Sequence, residues 1–165
     1  MIYARTTTLV AIRAAGPCGI RSNATKGWAK LLRTLGEPHG KPNLARAVTI
    51  LEVLDSNGLD DAVWVISCVM PDDRLSRHLF AWYAERVLHL FEDRYPGDMR
   101  LRQEIAVNRD DNATENQRRD AWNAAWNAAQ SVAHDDVLHA ARAAARVDDR
   151  AAQEAQLRRM LGGVE

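Results

Sequence analysis

The stretch at residues 54–69, LDSNGLDDAVWVISCV, decides the fold. Its second half is an apolar run whose β-branched residues suit a buried strand as well as a buried helix. Three features favour the helix. Residues 55–58, DSNG, are turn and cap chemistry. Asp60 and Asp61 then fall in a first helical turn, where the helix dipole favours carboxylates. No second strand-like run exists to pair with this one. The predicted helix is apolar nearly all round, so it is expected at the centre of the core. Trp64 and Cys68, one turn apart, are expected to pack inside it.

Working outward, the flanking segments read as further helices. NLARAVTILEVLD, residues 43–55, predicts a helix with Leu44, Val48, Leu51 and Leu54 inward. PDDRLSRHLFAWYAERVLHLFEDRYPGD predicts a longer one, capped by Asp72 or Asp73 and ended by Pro96 and Gly97. Its inward residues are Leu75, Leu79, Trp82, Val87, Leu90 and Phe91. DMRLRQEIAVNRDD predicts a charged helix. At the other end, TTTLVAIRAAGP predicts a short helix with Thr7 or Thr8 as N-cap. SNATKGWAKLLRTLGEP predicts another, with Trp28, Leu31, Leu32 and Leu35 on its apolar face and Gly36 at its end.

Beyond residue 114 the chain becomes rich in alanine, the best helix former. A stripe of Trp122, Trp126, Ala129, Ala133, Val137, Ala140, Ala144, Val147 and Ala151 follows helical spacing. It predicts one long amphipathic helix that lies along the body or pairs with a second copy in a homodimer. The expected architecture is all-α, a compact multi-helix bundle forming a single domain over residues 1–165. Within it, N-terminal helices occupy 1–36, core helices 43–107 and the long Ala/Trp-rich helix 114–161.

Composition bounds the function. The chain has 165 residues, of which 47% are hydrophobic and 27% charged, as in an ordinary globular protein. Lysine plus arginine equals aspartate plus glutamate at 22 each, which argues against nucleic-acid binding driven by bulk charge. The opening residues lack a signal-peptide core, and no apolar stretch is long enough for a membrane span. A cytoplasmic location and no membrane contact are therefore expected. The two cysteines, Cys18 and Cys68, do not make a disulfide scaffold.

No motif announces catalysis. Asp60 and Asp61 are adjacent, so on a helix they diverge by about 100° and do not converge on one ligand. Cys68 has apolar neighbours and no adjacent base, which predicts an inert core thiol. His134 and His139 are five apart, off the spacing that puts two ligands on one face. His78 and His89 read as helix-surface residues. No catalytic residue, metal site or cofactor is expected. Arg142, Arg146 and Arg150 recur every fourth residue and form a basic edge, extended by Arg158 and Arg159. Trp122 and Trp126 suit a core or seam, or base stacking.

Three blocks carry a resemblance. They are TTTLVAIRAAGPC with WAKLLRTLG, then TILEVLDSNGLDDAVWVISCV with FAWYAERVLHLFEDRYP, and the tail from DAWNAAWNAAQ to EAQLRRML. Together they resemble small helical proteins of bacteria and their phages described as immunity proteins of polymorphic toxin systems. The resemblance implies an all-α fold and a role in binding and neutralising another protein. Its phage members imply a second version, an anti-defence inhibitor of the anti-CRISPR kind. It carries no catalytic residues.

The expected function is thus a non-catalytic, protein-binding inhibitor whose target is a toxin or a bacterial defence component. Its candidate contact residues are Asp55, Asn57, Asp60 and Asp61 on the acidic turn, and Arg142, Arg146 and Arg150 on the basic edge. The alternative is a nucleic-acid-binding accessory protein that uses the basic edge.

Overall fold

A computed structural model describes residues 6–19, 27–70, 74–132 and 150–162. Among them the fold is all-α, with eight helices and one short two-stranded sheet. The chain forms two compact units, Met1–Ser76 with Glu154–Glu165, and Arg77–Gln153.

The first unit opens with β1 (Thr6–Thr8), which runs directly into α1 (Leu9–Ala14). Thr8 is the N-cap, and its side chain accepts from the Ala11 N–H at 3.3 Å. Next comes α2 (Gly27–Thr34), which buries Trp28, Leu31 and Leu32. The segment at 43–55 is not one helix. Residues Ala47–Thr49 form β2, antiparallel to β1, with Thr7 opposite Val48. The β-branched pair Val48 and Thr49 suits this ladder, and α3 (Ile50–Asn57) starts only after it. Thr49 fixes that start. Its hydroxyl accepts from the Glu52 N–H at 3.0 Å, while Glu52 accepts from the Thr49 N–H at 2.7 Å, a capping box. Leu44 and Leu51 are half-buried rather than core.

The decisive stretch is helical, as its cap chemistry predicts, in α4 (Leu59–Val69). Three details differ from expectation. Trp64, expected inside the core, is half-buried. Residues 55–57 belong to the last turn of α3, so Gly58 alone makes the break. Cys68 is exposed. Leu59, Ala62, Val65 and Ile66 form the buried stripe of α4, and Cys68 stands two residues past it, on the far side of the helix. The core of this unit is deep. Leu9, Ile12, Leu32, Val48, Ile50, Val53 and Ile66 are essentially fully buried.

In the second unit, α5 (Arg74–Arg94) runs on from the division after Ser76, followed by α6 (Arg100–Arg109) and α7 (Glu115–Val132). The expected caps Asp72 and Asp73 lie outside the described residues. Leu79 and Phe91 are buried as expected, whereas Trp82 and Leu90 are half-buried. The small cluster Ala81, Leu88 and Ile105 takes the inner positions instead, with Ala84 and Leu101 against it. Helix α7 begins with a second reciprocal cap: Thr114 accepts from the Gln117 N–H at 3.2 Å, and Gln117 accepts from the Thr114 N–H at 2.7 Å.

The expected stripe on α7 is corrected. Trp122 is 52% exposed, and Ala125 is the buried residue. A methyl lets helices approach closely where an indole does not, and α7 packs against α6. The side chains of Val87, Trp126 and Ala129, and all of residues 133–149, lie outside what is described. Beyond them α8 (Arg150–Leu161) buries Leu157, Met160 and Leu161. Ala151, expected inward, is exposed. The larger aliphatic side chains take the inner face because they remove more apolar area from water.

Candidate functional site

The site is built around one glycine. Gly58 adopts φ +94°, a region open to glycine at little cost. Its N–H donates to Leu54 O at 2.8 Å and closes α3, and its own carbonyl accepts from Ala62 N at 3.1 Å to open α4. The corner is therefore tight. It brings Asn57, the last residue of α3, against Asp61 in the first turn of α4.

Asn57 joins three elements. Its Nδ2 donates to Asp61 Oδ2 at 2.7 Å and to the Gly27 carbonyl at 2.9 Å. Its Oδ1 accepts from the Ser56 hydroxyl at 2.7 Å. Both amide hydrogens are spent, so the carboxamide is fixed, and it fixes one oxygen of Asp61. The start of α2 is held by the same residue. There the chain passes close to itself: Trp28 N–H donates to Cys18 O at 2.8 Å. Gly27 has φ +54°, and a Cβ on it would sit 2.5 Å from that same carbonyl oxygen.

A cleft of about 330 Å³ opens beside this corner. Asn57 and Asp61 form its polar wall. Trp28 and Leu31 of α2, Trp64 and Val65 of α4, Val53 of α3 and Ile12 of α1 form the apolar walls. Gly16, Pro17, Cys18 and Gly27 complete the lining. Asp61, Trp64 and Val65 are three and four residues apart, so one face of α4 presents them together. Trp28 is only 3% exposed, so its ring is a fixed wall.

The expected contact residues are thus divided. Asn57 and Asp61 meet at the cleft. Asp60 is on the exposed side of α4. Asp55 points elsewhere: its carboxylate accepts from Arg158 of α8 at 2.8 Å. Arg158 also pairs with Glu154 at 2.8 Å, and the two carboxylates, Asp55 first, hold its guanidinium above its ordinary pKa. Arg150 is exposed on α8, while Arg142 and Arg146 lie outside the described residues. Sequence reasoning assigned Trp28 and Trp64 to the core and did not see the cleft between them. Residues 28 and 64 are too far apart in sequence for spacing to join them.

Among the described residues, no group of three or more His, Cys, Asp or Glu is placed to hold a metal ion. Among the same residues, no helix is long and apolar enough to cross a membrane. No protein-family model matches the chain, and no curated protein or solved structure matches it.

Proposed function

We propose that this protein is a non-catalytic inhibitor that binds and neutralises another protein, as an immunity protein does for a toxin or a phage anti-defence protein does for a defence component. The observation that carries this reading is the cleft at the α3–α4 corner. Two tryptophans, aliphatic walls and one oriented carboxylate in a preformed hollow are the composition of an interface anchor site. A carboxylate tied to a fixed carboxamide serves as a stationary acceptor. It suits recognition better than proton transfer, which needs a group free to change partners.

The test is capture from host lysates on immobilised wild type and on Asp61→Arg. A protein retained by the wild type and lost with the charge reversal is the expected result. Equal retention on both, or none across several hosts, counts against the proposal.

A second reading has one observation in its favour, the 52% exposure of Trp122. Arg118 and Arg119 precede it by four and three residues, on the same face of α7. An exposed indole beside guanidinium groups suits stacking on single-stranded nucleic acid, with the basic edge ending at Arg150 as a further contact. This reading requires affinity that falls steeply as salt rises. Absence of binding to single-stranded DNA or RNA at low salt removes it.

A further inference from the structure

We infer that the cleft is a guanidinium site, built to receive one arginine side chain of the protein partner. The inference rests on the protein-binding role proposed above and names the chemistry of the contact. Charge sets the sign. Asp61 is the carboxylate in the lining, and among the described residues no lysine or arginine lines the cleft. Orientation comes next. Asn57 donates to Asp61 Oδ2, and nothing among the described residues donates to Oδ1. One oxygen is therefore anchored and the other is open to a donor. Guanidinium presents its N–H groups as a rigid fork that matches a carboxylate held in this way.

The remaining walls fit the rest of the side chain. An indole face attracts a cation more strongly than other aromatic faces do, and the half-buried Trp64 lines the hollow together with the buried Trp28. Leu31 and Val65 offer apolar surface to a methylene stem. Guanidinium is more weakly hydrated than ammonium, so it loses less on entering such a wall, which selects arginine over lysine. Size sets the scale. A volume of about 330 Å³ is at the lower end for cavities that hold whole small ligands. It suits a single inserted side chain, with the partner's backbone remaining outside.

The test uses the full chain, labelled with nitrogen-15, and N-acetyl-L-arginine amide as probe. The indole N–H signals of Trp28 and Trp64 should shift with saturation on the order of millimolar, as for a ligand that contributes one side chain. Trp82, which does not line the cleft, should stay still. The lysine amide should bind several-fold more weakly, and the leucine amide more weakly again. Asp61→Asn should reduce the arginine response at least tenfold. Because Asp61 also accepts from Asn57, Trp64→Leu serves as a second variant that leaves the Asn57 contacts in place; it should weaken binding several-fold. No indole shift, a leucine response equal to that of arginine, or an arginine response unmoved by Asp61→Asn would overturn the inference. So would equal binding of lysine. The lysate experiment separates the two claims. A protein captured by the wild type and lost with Asp61→Arg, with no indole shift from the arginine amide, leaves the binding role standing and removes the guanidinium site. Indole shifts without any captured protein leave the site standing and remove the protein partner.

Discussion

The two units are held together by different means. In the first, large aliphatic side chains such as Leu9, Ile12, Leu32, Ile50 and Ile66 are wholly withdrawn from water. In the second, the buried set among the described residues is smaller and rich in alanine: Leu79, Ala81, Leu88, Phe91, Ile105, Ala113 and Ala125. Ion pairs also link its helices. Arg102 meets Glu92 at 2.6 Å, Arg109 meets Glu85, and Arg77 approaches Asp111 at 3.8 Å. Exposed pairs each contribute little and weaken with salt. A preformed cleft needs walls that do not yield, and it occurs in the unit with the deep core.

The largest effect should come from that core. Leu32→Ala or Ile66→Ala is expected to cost about 2–5 kcal/mol in urea unfolding, the usual range for truncating a well-packed aliphatic residue. Leu88→Ala, in the smaller cluster, should fall at or below the bottom of that range. Equal losses at the two places would erase the distinction. Next is Gly27→Ala. Alanine would have to hold a positive φ, and its methyl would collide with the Sγ and carbonyl of Cys18, so a loss of about 1–3 kcal/mol is expected. Hydrogen exchange should show the loss concentrated in α2, and the indole signal of Trp28 should move.

Smaller effects belong to the second unit. Arg109→Ala should cost at most about 1 kcal/mol in dilute buffer, with little difference from wild type remaining at high salt. Glu104 is the most informative titrating group there. Burial pushes its carboxyl above the usual range in the folded protein. Its ionisation therefore opposes folding: the protonated form is the better tolerated, and that advantage is lost as pH rises through the folded pKa. Glu104→Gln should raise the thermal midpoint at pH 7. The gain should shrink as pH falls into the ordinary carboxylate range. Asp98 behaves oppositely, because hydrogen bonds from Arg100 lower its pKa, so its contribution is present at neutral pH and lost in acid.

Much of the fold was legible in the chain. Thr8, one of the two threonines expected as the cap, Gly36 and Gly97 as stops, and the helical nature of residues 59–69 all follow from local chemistry. The start of α3 was legible too, since Thr49-Ile50-Leu51-Glu52 is a capping-box pattern, but the helical period of its neighbours hid it. The strands were not legible. Three residues are too few to show a period, and β2 forms because Thr6–Thr8 lies beside it. Cys68 misled because hydropathy reports what a residue prefers and not which side of a helix its neighbours cover. The acidic turn was recognised as a feature, yet the role of each residue depended on distant groups. Gly27 orients Asn57, and Arg158 engages Asp55 from 103 residues away.

That last contact bears on how the protein is made. Helix α8 contributes Leu157, Met160 and Leu161 to the buried set, and from Glu154 onward it belongs to the first unit. A ribosome delivers residues in order, so the segment made first cannot finish its own interior until residues near Leu161 have left the exit tunnel. The Arg77–Gln153 unit has all its residues available before then. Folding during synthesis is thus expected to complete the later-made unit first. Until α8 docks, the earlier-made segment waits with apolar surface uncovered, a period in which chaperones or aggregation have access to it.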